Sequence, residues 1–226
     1  MKLPLDVIQP ESVQEAVEAT LRKFGWIDAL VNNAGYAIRG AIEEIPNEQV
    51  GQIFDVKVFG VLRTARAVLS HMRQQGSGRI INIGSIVGRP AFPVNGLYAA
   101  TKFALAALTD ALHLEMAAFG IQVILVEPGI INTPFDDTAL ARSQTIVSNP
   151  ASPYHGIYRG FGQFAAGQQR QAAEAGEVSK VVEKALEAAR PKRRYLAAVR
   201  FSRRLSMGLA DPVWEWVLRQ MLNTGT

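Results

Sequence analysis

The 226-residue sequence has no cysteine, which excludes disulfides and thiolate metal sites. Its three histidines, His71, His113 and His155, show no ligand spacing, so no metal is expected. No apolar run approaches the ~18 residues of a membrane span. No basic-then-apolar signal opens the chain, and a cytoplasmic location is the default expectation. Charge of one sign is scarce too, with a formal net charge of only +4. The densest basic part is Lys192, Arg193, Arg194, Arg200, Arg203 and Arg204. It reads as a solvated surface around a late strand. No nucleic-acid-binding motif accompanies it, so no nucleic-acid partner is expected. What remains is ordinary for a globular protein: 48% hydrophobic and 19% charged residues, long enough for one domain with a sizeable core.

The stretch Tyr98-Ala99-Ala100-Thr101-Lys102 organises the chain. A tyrosine and a lysine four apart share one face of a helix. A lysine ammonium beside a phenol favours phenolate, so the expectation is a Tyr98 pKa below about 10 and a group able to exchange protons near neutral pH. Ser85 follows an apolar strand, Arg79 to Gly84. A hydroxyl there could hold a carbonyl oxygen beside the tyrosine.

The rest of the sequence alternates strands and helices, which predicts an α/β class with a mostly parallel sheet. Leu3 to Val7 reads as a short strand. Pro10 and Glu11 open a helix with the stripe Val13, Ala16, Val17, Thr20, Leu21, Phe24, ended by Gly25. Ile27 to Val31 is a buried strand, followed by Asn32-Asn33-Ala34-Gly35. Asn47 is read as the cap of a long helix whose stripe is Val50, Phe54, Lys57, Val61, Thr64, Val68. Lys57 falls on the inward face; it is either buried there or snorkels to solvent. Tyr98 and Lys102 head the stripe of the next helix, with Leu105, Thr109, Leu112, Met116 and Phe119, which Gly120 closes. Gln122 to Glu127 is a strand ending at Pro128-Gly129. From Phe135 to about Gly167 no clear period appears. That stretch holds Tyr154, His155, Tyr158, Phe161 and Phe164, and it reads as a mobile lid over an apolar substrate. Val178 to Ala189 forms a helix stopped by Pro191, Tyr195 to Val199 a last strand, and Asp211-Pro212 opens a final helix in a C-terminal segment of about 200–226. Nothing marks an interdomain linker.

In motif, order and spacing, Asn32-Asn33-Ala34-Gly35, Ser85, Tyr98-x-x-x-Lys102 and Pro128-Gly129 resemble the short-chain dehydrogenase/reductase family. The flanking Asn33-Ala34-Gly35-Tyr36, Phe59-Gly60-Val61 and Val126-Glu127-Pro128-Gly129 look most like its retinol and 17β-hydroxysteroid dehydrogenase branch. The resemblance implies a Rossmann-like doubly wound sheet and an NAD- or NADP-dependent oxidoreductase acting on a hydrophobic alcohol or its ketone or aldehyde. It casts Tyr98 as the proton-exchanging residue, Ser85 as the ligand of the reacting oxygen and Lys102 as the modulator of Tyr98 and holder of the nicotinamide ribose. It places Asp6 and Val7 at the adenine, Asn32, Ala34 and Gly35 at the adenosine ribose, and Pro128, Gly129, Ile131 and Thr133 at the nicotinamide end. It also implies a homodimer or homotetramer through the helices of Val50–Met72 and Gly96–Phe119.

Two departures qualify that picture. No Gly-x-x-x-Gly-x-Gly stands near the amino end, where the family puts the cofactor pyrophosphate on a helix N-terminus. Aligned on Asp6-Val7, the chain starts at the family's third strand, and the first two strands lack counterparts. Those strands lie between strands three and four, so strand three is left without a partner and strand four with an open edge. The segment that selects NAD or NADP is missing with them. Lys57 stands where the family has its catalytic Asn; an ammonium only donates, whereas an amide donates and accepts. A weakened proton relay is expected. The alternative to an enzyme is an impaired remnant serving as a scaffold or oligomer partner.

Overall fold

The computed structural model describes residues 1–199. The helix expected at Asp211-Pro212, and the whole segment of about 200–226, lie outside the described residues.

Leu3 to Val7 forms no strand, and Leu3 and Leu5 are exposed. An extended segment needs a neighbour for its N–H and C=O groups, and none of the described strands runs beside it. Asp6 instead starts a turn: its backbone N–H donates to Ser12 Oγ at 2.9 Å, and its carboxylate accepts from Ile8 N–H at 3.1 Å. The turn feeds α1 (Pro10–Phe24), which has Pro10 in its first turn, buries Val13 and Val17, and ends at Gly25 with φ +81°.

β1 (Ala29–Asn32) leads through a short 3-10 turn at Ile42–Glu44 into α2 (Asn47–Phe54). Pro46, in extended backbone, takes the cap position expected of Asn47, which is the first helical residue. A π-helical turn over Asp55–Phe59 joins α2 to α3 (Gly60–Gln75). Single π-turns inside helices often occur at functional sites, and Lys57 sits in this one. Then come β2 (Gly78–Ile83), α4 (Gly96–Met116), β3 (Ile121–Pro128) and the two-residue β4 (Ile131–Asn132).

The stretch expected to be a lid without regular structure is helical: α5 (Phe135–Val147) and α6 (His155–Gln169). β5 (Ala173–Glu174), α7 (Ala175–Glu187) and β6 (Arg194–Ala197) complete the described elements.

The main sheet is parallel, in the order β1-β2-β3-β6, and a small pairing joins β4 to β5. Strand alternation sends Ile80, Ile121 and Val123 to one face, where α1, α3 and α4 cover them with Val17, Val68, Met72 and Met116. Ile81, Ile124 and Val126 point the other way, against Ala185 and the apolar side of α7. Burial on both faces is what a parallel sheet requires. β1 and β6 are the two edges of the sheet among the described residues, with Val31 of β1 40% exposed.

A buried polar chain ties sheet to helices. Thr64 Oγ1 donates to Asn32 Oδ1 at 2.7 Å, and Asn32 Nδ2 donates to Asn82 Oδ1 at 2.9 Å. Asn82 Nδ2 then donates to Thr109 Oγ1 at 2.9 Å. This fixes α3 and α4 against the carboxyl ends of β1 and β2, which is where ligands bind in such sheets. Among the described residues, no helix is long and apolar enough to cross a membrane, and no cluster of His, Asp and Glu could hold a metal.

Candidate active site

A cavity of about 1160 Å³ opens at the carboxyl ends of β1, β2 and β3. Ser85, Tyr98, Lys102 and Lys57 all line it. The strand β2 delivers Ser85 just beyond its end, where the Ser85 oxygen accepts from Val87 N–H at 3.3 Å. The first two turns of α4 deliver Tyr98 and Lys102, both buried on its inward face. A Cβ on Gly88 would come within 3.1 Å of the Lys102 carbonyl, so the short turn after Ser85 lies tight against that helix. Lys102 Nζ donates to the Ile83 carbonyl at 2.6 Å and lies 5.7 Å from the centre of the Tyr98 ring.

Burial pushes the Tyr98 phenol up to about 12; the Ser85 hydrogen bond and the Arg39 charge offset part of that rise. Lys102 is held well below the ordinary lysine value, by burial first and by the charge of Lys57 second. This reverses the expectation of a tyrosine lowered by its lysine. Desolvation of the phenolate outweighs the Ser85 hydrogen bond and the Arg39 charge, so Tyr98 is a neutral phenol near neutral pH.

Lys57 is buried, not snorkelled, at 5% exposure. Its Nζ lies 5.2 Å from the Tyr98 ring centre and 5.4 Å from that of Phe135. Among the described residues it has neither an acidic partner nor a hydrogen bond. Burial lowers its pKa to about 8. A Cβ on Gly35 would sit 2.4 Å from Lys57 Nζ, so the glycine at φ +151° makes room for the ammonium.

Of the residues assigned to a cofactor by resemblance, Gly35, Tyr98, Lys102, Pro128, Gly129, Ile131 and Thr133 line the cavity. Asp6, Val7, Asn32 and Ala34 are not part of that lining. Asp6 is exposed and turns the chain into α1, Val7 packs against Gly60, and both ends of the Asn32 amide are used by Thr64 and Asn82. The neighbouring Asn33 faces the cavity instead.

The sequence reading missed Arg39, Asn95 and Asp136. Arg39 is 8% exposed and lines the cavity. One of its terminal nitrogens bonds Asn95 Oδ1, and the other pairs with Asp136 at 2.6 Å. Its guanidinium lies 5.8 Å from the Tyr98 ring centre and 5.6 Å from that of Phe161. Val94, at φ +67°, is a strained β-branched residue that precedes Asn95. A lone Arg in a loop carries no motif, so nothing local marked it. Phe161 and Phe164 of α6 form the apolar wall. Arg194, in the densest basic part of the sequence, pairs with Asp110 at 2.5 Å and with buried Glu127 at 3.2 Å.

A nicotinamide nucleotide is tested by this arrangement one half at a time. Pro128, Gly129, Ile131 and Thr133 line the same cavity as Lys102 and Tyr98. A Cβ on Gly129 would meet the Ala198 carbonyl at 2.6 Å, so backbone packs directly against that lining. The nicotinamide half fits. For the pyrophosphate the described residues offer no Gly-rich turn at a helix N-terminus.

The family profile described as short chain dehydrogenase matches residues 1–144. Human 17-beta-hydroxysteroid dehydrogenase type 1 is 35% identical over 213 residues, covering 93% of this chain and 64% of its own length. The 3-ketodihydrosphingosine reductase of Bacteroides thetaiotaomicron is 44% identical over 135 residues, covering 60% of this chain and 50% of its own. The crystal structure of a short-chain dehydrogenase from Streptomyces avermitilis superposes with a TM-score of 0.75 at 28% identity, over 99% of this chain and 79% of that one. The chain spans about half the length of several curated relatives that it matches. With Ser85, Tyr98 and Lys102 brought together at the ends of a parallel sheet, and with a family match over more than half of its length, the chain belongs to the short-chain dehydrogenase family.

Proposed function

We propose that the chain carries the catalytic half of an NAD(P)-dependent oxidoreductase that interconverts a hydrophobic alcohol and its ketone or aldehyde. The observation that carries this reading is the convergence of Ser85, Tyr98 and Lys102 in one cavity, faced by Phe92, Phe161 and Phe164. A nicotinamide at the Pro128–Thr133 wall would supply or accept the hydride. Ser85 holds the substrate oxygen against Tyr98. Tyr98, kept neutral by burial, is poised to give its proton to a carbonyl oxygen, which favours reduction. Lys102, anchored on the Ile83 carbonyl, would hold the nicotinamide ribose. The ready-made cavity argues against a pure scaffold. Exposed Phe59 and Phe103, on the two helical segments that the family pairs between subunits, support a homodimer or homotetramer.

The test follows consumption of NADH and NADPH against medium-chain and steroidal ketones and aldehydes. The expected result is turnover with one nucleotide that falls about 100-fold or more in Tyr98→Phe, as loss of a general acid does. No turnover with either nucleotide refutes the reading for this chain.

A further inference from the structure

Lys57 is a buried amine that hydride transfer does not use. It sits on the wall of the substrate cavity, in a π-turn, with Gly35 kept bare to admit it. Lys102 shares the cavity but is tied to the Ile83 carbonyl, whereas among the described residues Lys57 Nζ has only the faces of Tyr98 and Phe135. Desolvation in an apolar pocket is one standard way to activate a lysine as a nucleophile. We propose that Lys57 is a nucleophilic amine that captures an aldehyde or ketone in this cavity as an imine.

The nitrogen lone pair forms a C–N bond to the carbonyl carbon. The C=O π pair takes a proton from the Tyr98 phenol, giving a carbinolamine, and the phenolate regains a proton from the nitrogen. The hydroxyl then leaves as water with the remaining N–H proton, and the imine forms. Amine and carbonyl become imine and one water; no oxidant, reductant or nucleotide takes part. Two features of the site suit the steps. Tyr98 is a neutral phenol and so has the proton to give. Burial also leaves Lys57 about a tenth neutral at pH 7, far more than a surface lysine. The apolar lining from Ile86, Val87, Phe92 and Phe161 suits an alkyl aldehyde and disfavours hydrolysis by bulk water.

The experiment incubates the 226-residue chain with hexanal and sodium cyanoborohydride at pH 7, without nucleotide, and reads the product by intact mass and peptide mapping. Besides the addition expected at the Met1 α-amine, whose ordinary pKa is also about 8, the expected result is a hexyl addition on Lys57, formed at least about tenfold faster than on Lys2, Lys23, Lys180, Lys184 or Lys192, because of its larger neutral fraction. Lys57→Asn, shown to be folded by its circular-dichroism melt, should lose the fast adduct. An adduct spread evenly over the surface lysines, fast addition to Lys102 instead, or a fast adduct that persists in folded Lys57→Asn overturns the proposal. If Lys57→Asn does not fold, the peptide map of the unsubstituted chain decides alone. Because no nucleotide is present, failure here leaves the dehydrogenase reading untouched, and failure of that reading leaves this one.

Discussion

Replacing Lys57 by methionine should stabilise the protein, and by an amount that depends on pH. Methionine has nearly the same length and no charge. Among the described residues the ammonium has no acidic partner and two aromatic faces. Burial lowers its pKa from 10.5 to about 8. At about 1.4 kcal/mol per pH unit that fall corresponds to a folding cost of about 3 kcal/mol at neutral pH. The sign follows from the protons bound. Between pH 8 and 10.5 the unfolded chain still holds the Lys57 proton and the folded one has released it, so stability rises with pH across that window. Below pH 8 both states are protonated and the full cost is present. Lys102, lowered partly by the Lys57 charge, rises towards the ordinary lysine value when that charge is removed, which adds to the gain. The lost cation–π contacts offset about 1–2 kcal/mol. A net gain of about 1–2 kcal/mol raises the midpoint by about 2–8 °C in a chain of this size. The assay is a thermal melt of parent and variant from pH 6.5 to 9.5, below the range in which unfolded tyrosines ionise and Tyr98, held near 12, destabilises the fold. The gap should be largest at pH 7 and close towards pH 9.5. A gap independent of pH, or a less stable variant at pH 7, refutes the assignment of Lys57 as an uncompensated buried ammonium.

Gly35→Ala should lower the melting point, because its Cβ would lie 2.4 Å from Lys57 Nζ and its φ is +151°. Part of that loss should return in Gly35→Ala with Lys57→Ala, while simple additivity of the two changes in a double-mutant cycle would remove the link. Asn82→Leu should cost about 2–4 kcal/mol by urea titration, since it strands buried groups on Asn32 and Thr109 at once; a cost under about 0.5 kcal/mol would mean the polar chain is idle. Phe103→Asp should shift light-scattering mass to the monomer, since Phe103 is exposed on α4; an unchanged oligomer would place the interface elsewhere.

Much of the frame was legible in the sequence because local chemistry wrote it. Gly25 and Gly120 ended their helices in the left-handed conformation that their lack of a Cβ permits. The spacing of Tyr98, Lys102, Leu105 and Thr109 put four side chains on one face, and all four are buried. The helices of 135–167 escaped notice because α5 buries Ala139, Ser143 and Ile146: the spacing is helical, but two of the three are small and carry no apolar signal. Arg39 escaped because its partners Asn95 and Asp136 lie 56 and 97 residues away, and no window along the chain contains them.

The sequence by itself determined the order of α1, β1, β2, α4, β3, α7 and β6, the inward pairing of Tyr98 with Lys102 and the arrival of Ser85 at a strand's end, since each depends on periodicity or on a turn residue. Only the tertiary structure decided which charges survive there. Desolvation depends on every element packed around a group. Burial of Tyr98 kept it a phenol, and the same burial lowered Lys102 and left Lys57 an ammonium without a counter-ion among the described residues. The strand that Leu3 to Val7 failed to form follows the same rule: extended backbone persists only where a neighbouring strand takes up its hydrogen bonds, and pairing is a property of the fold.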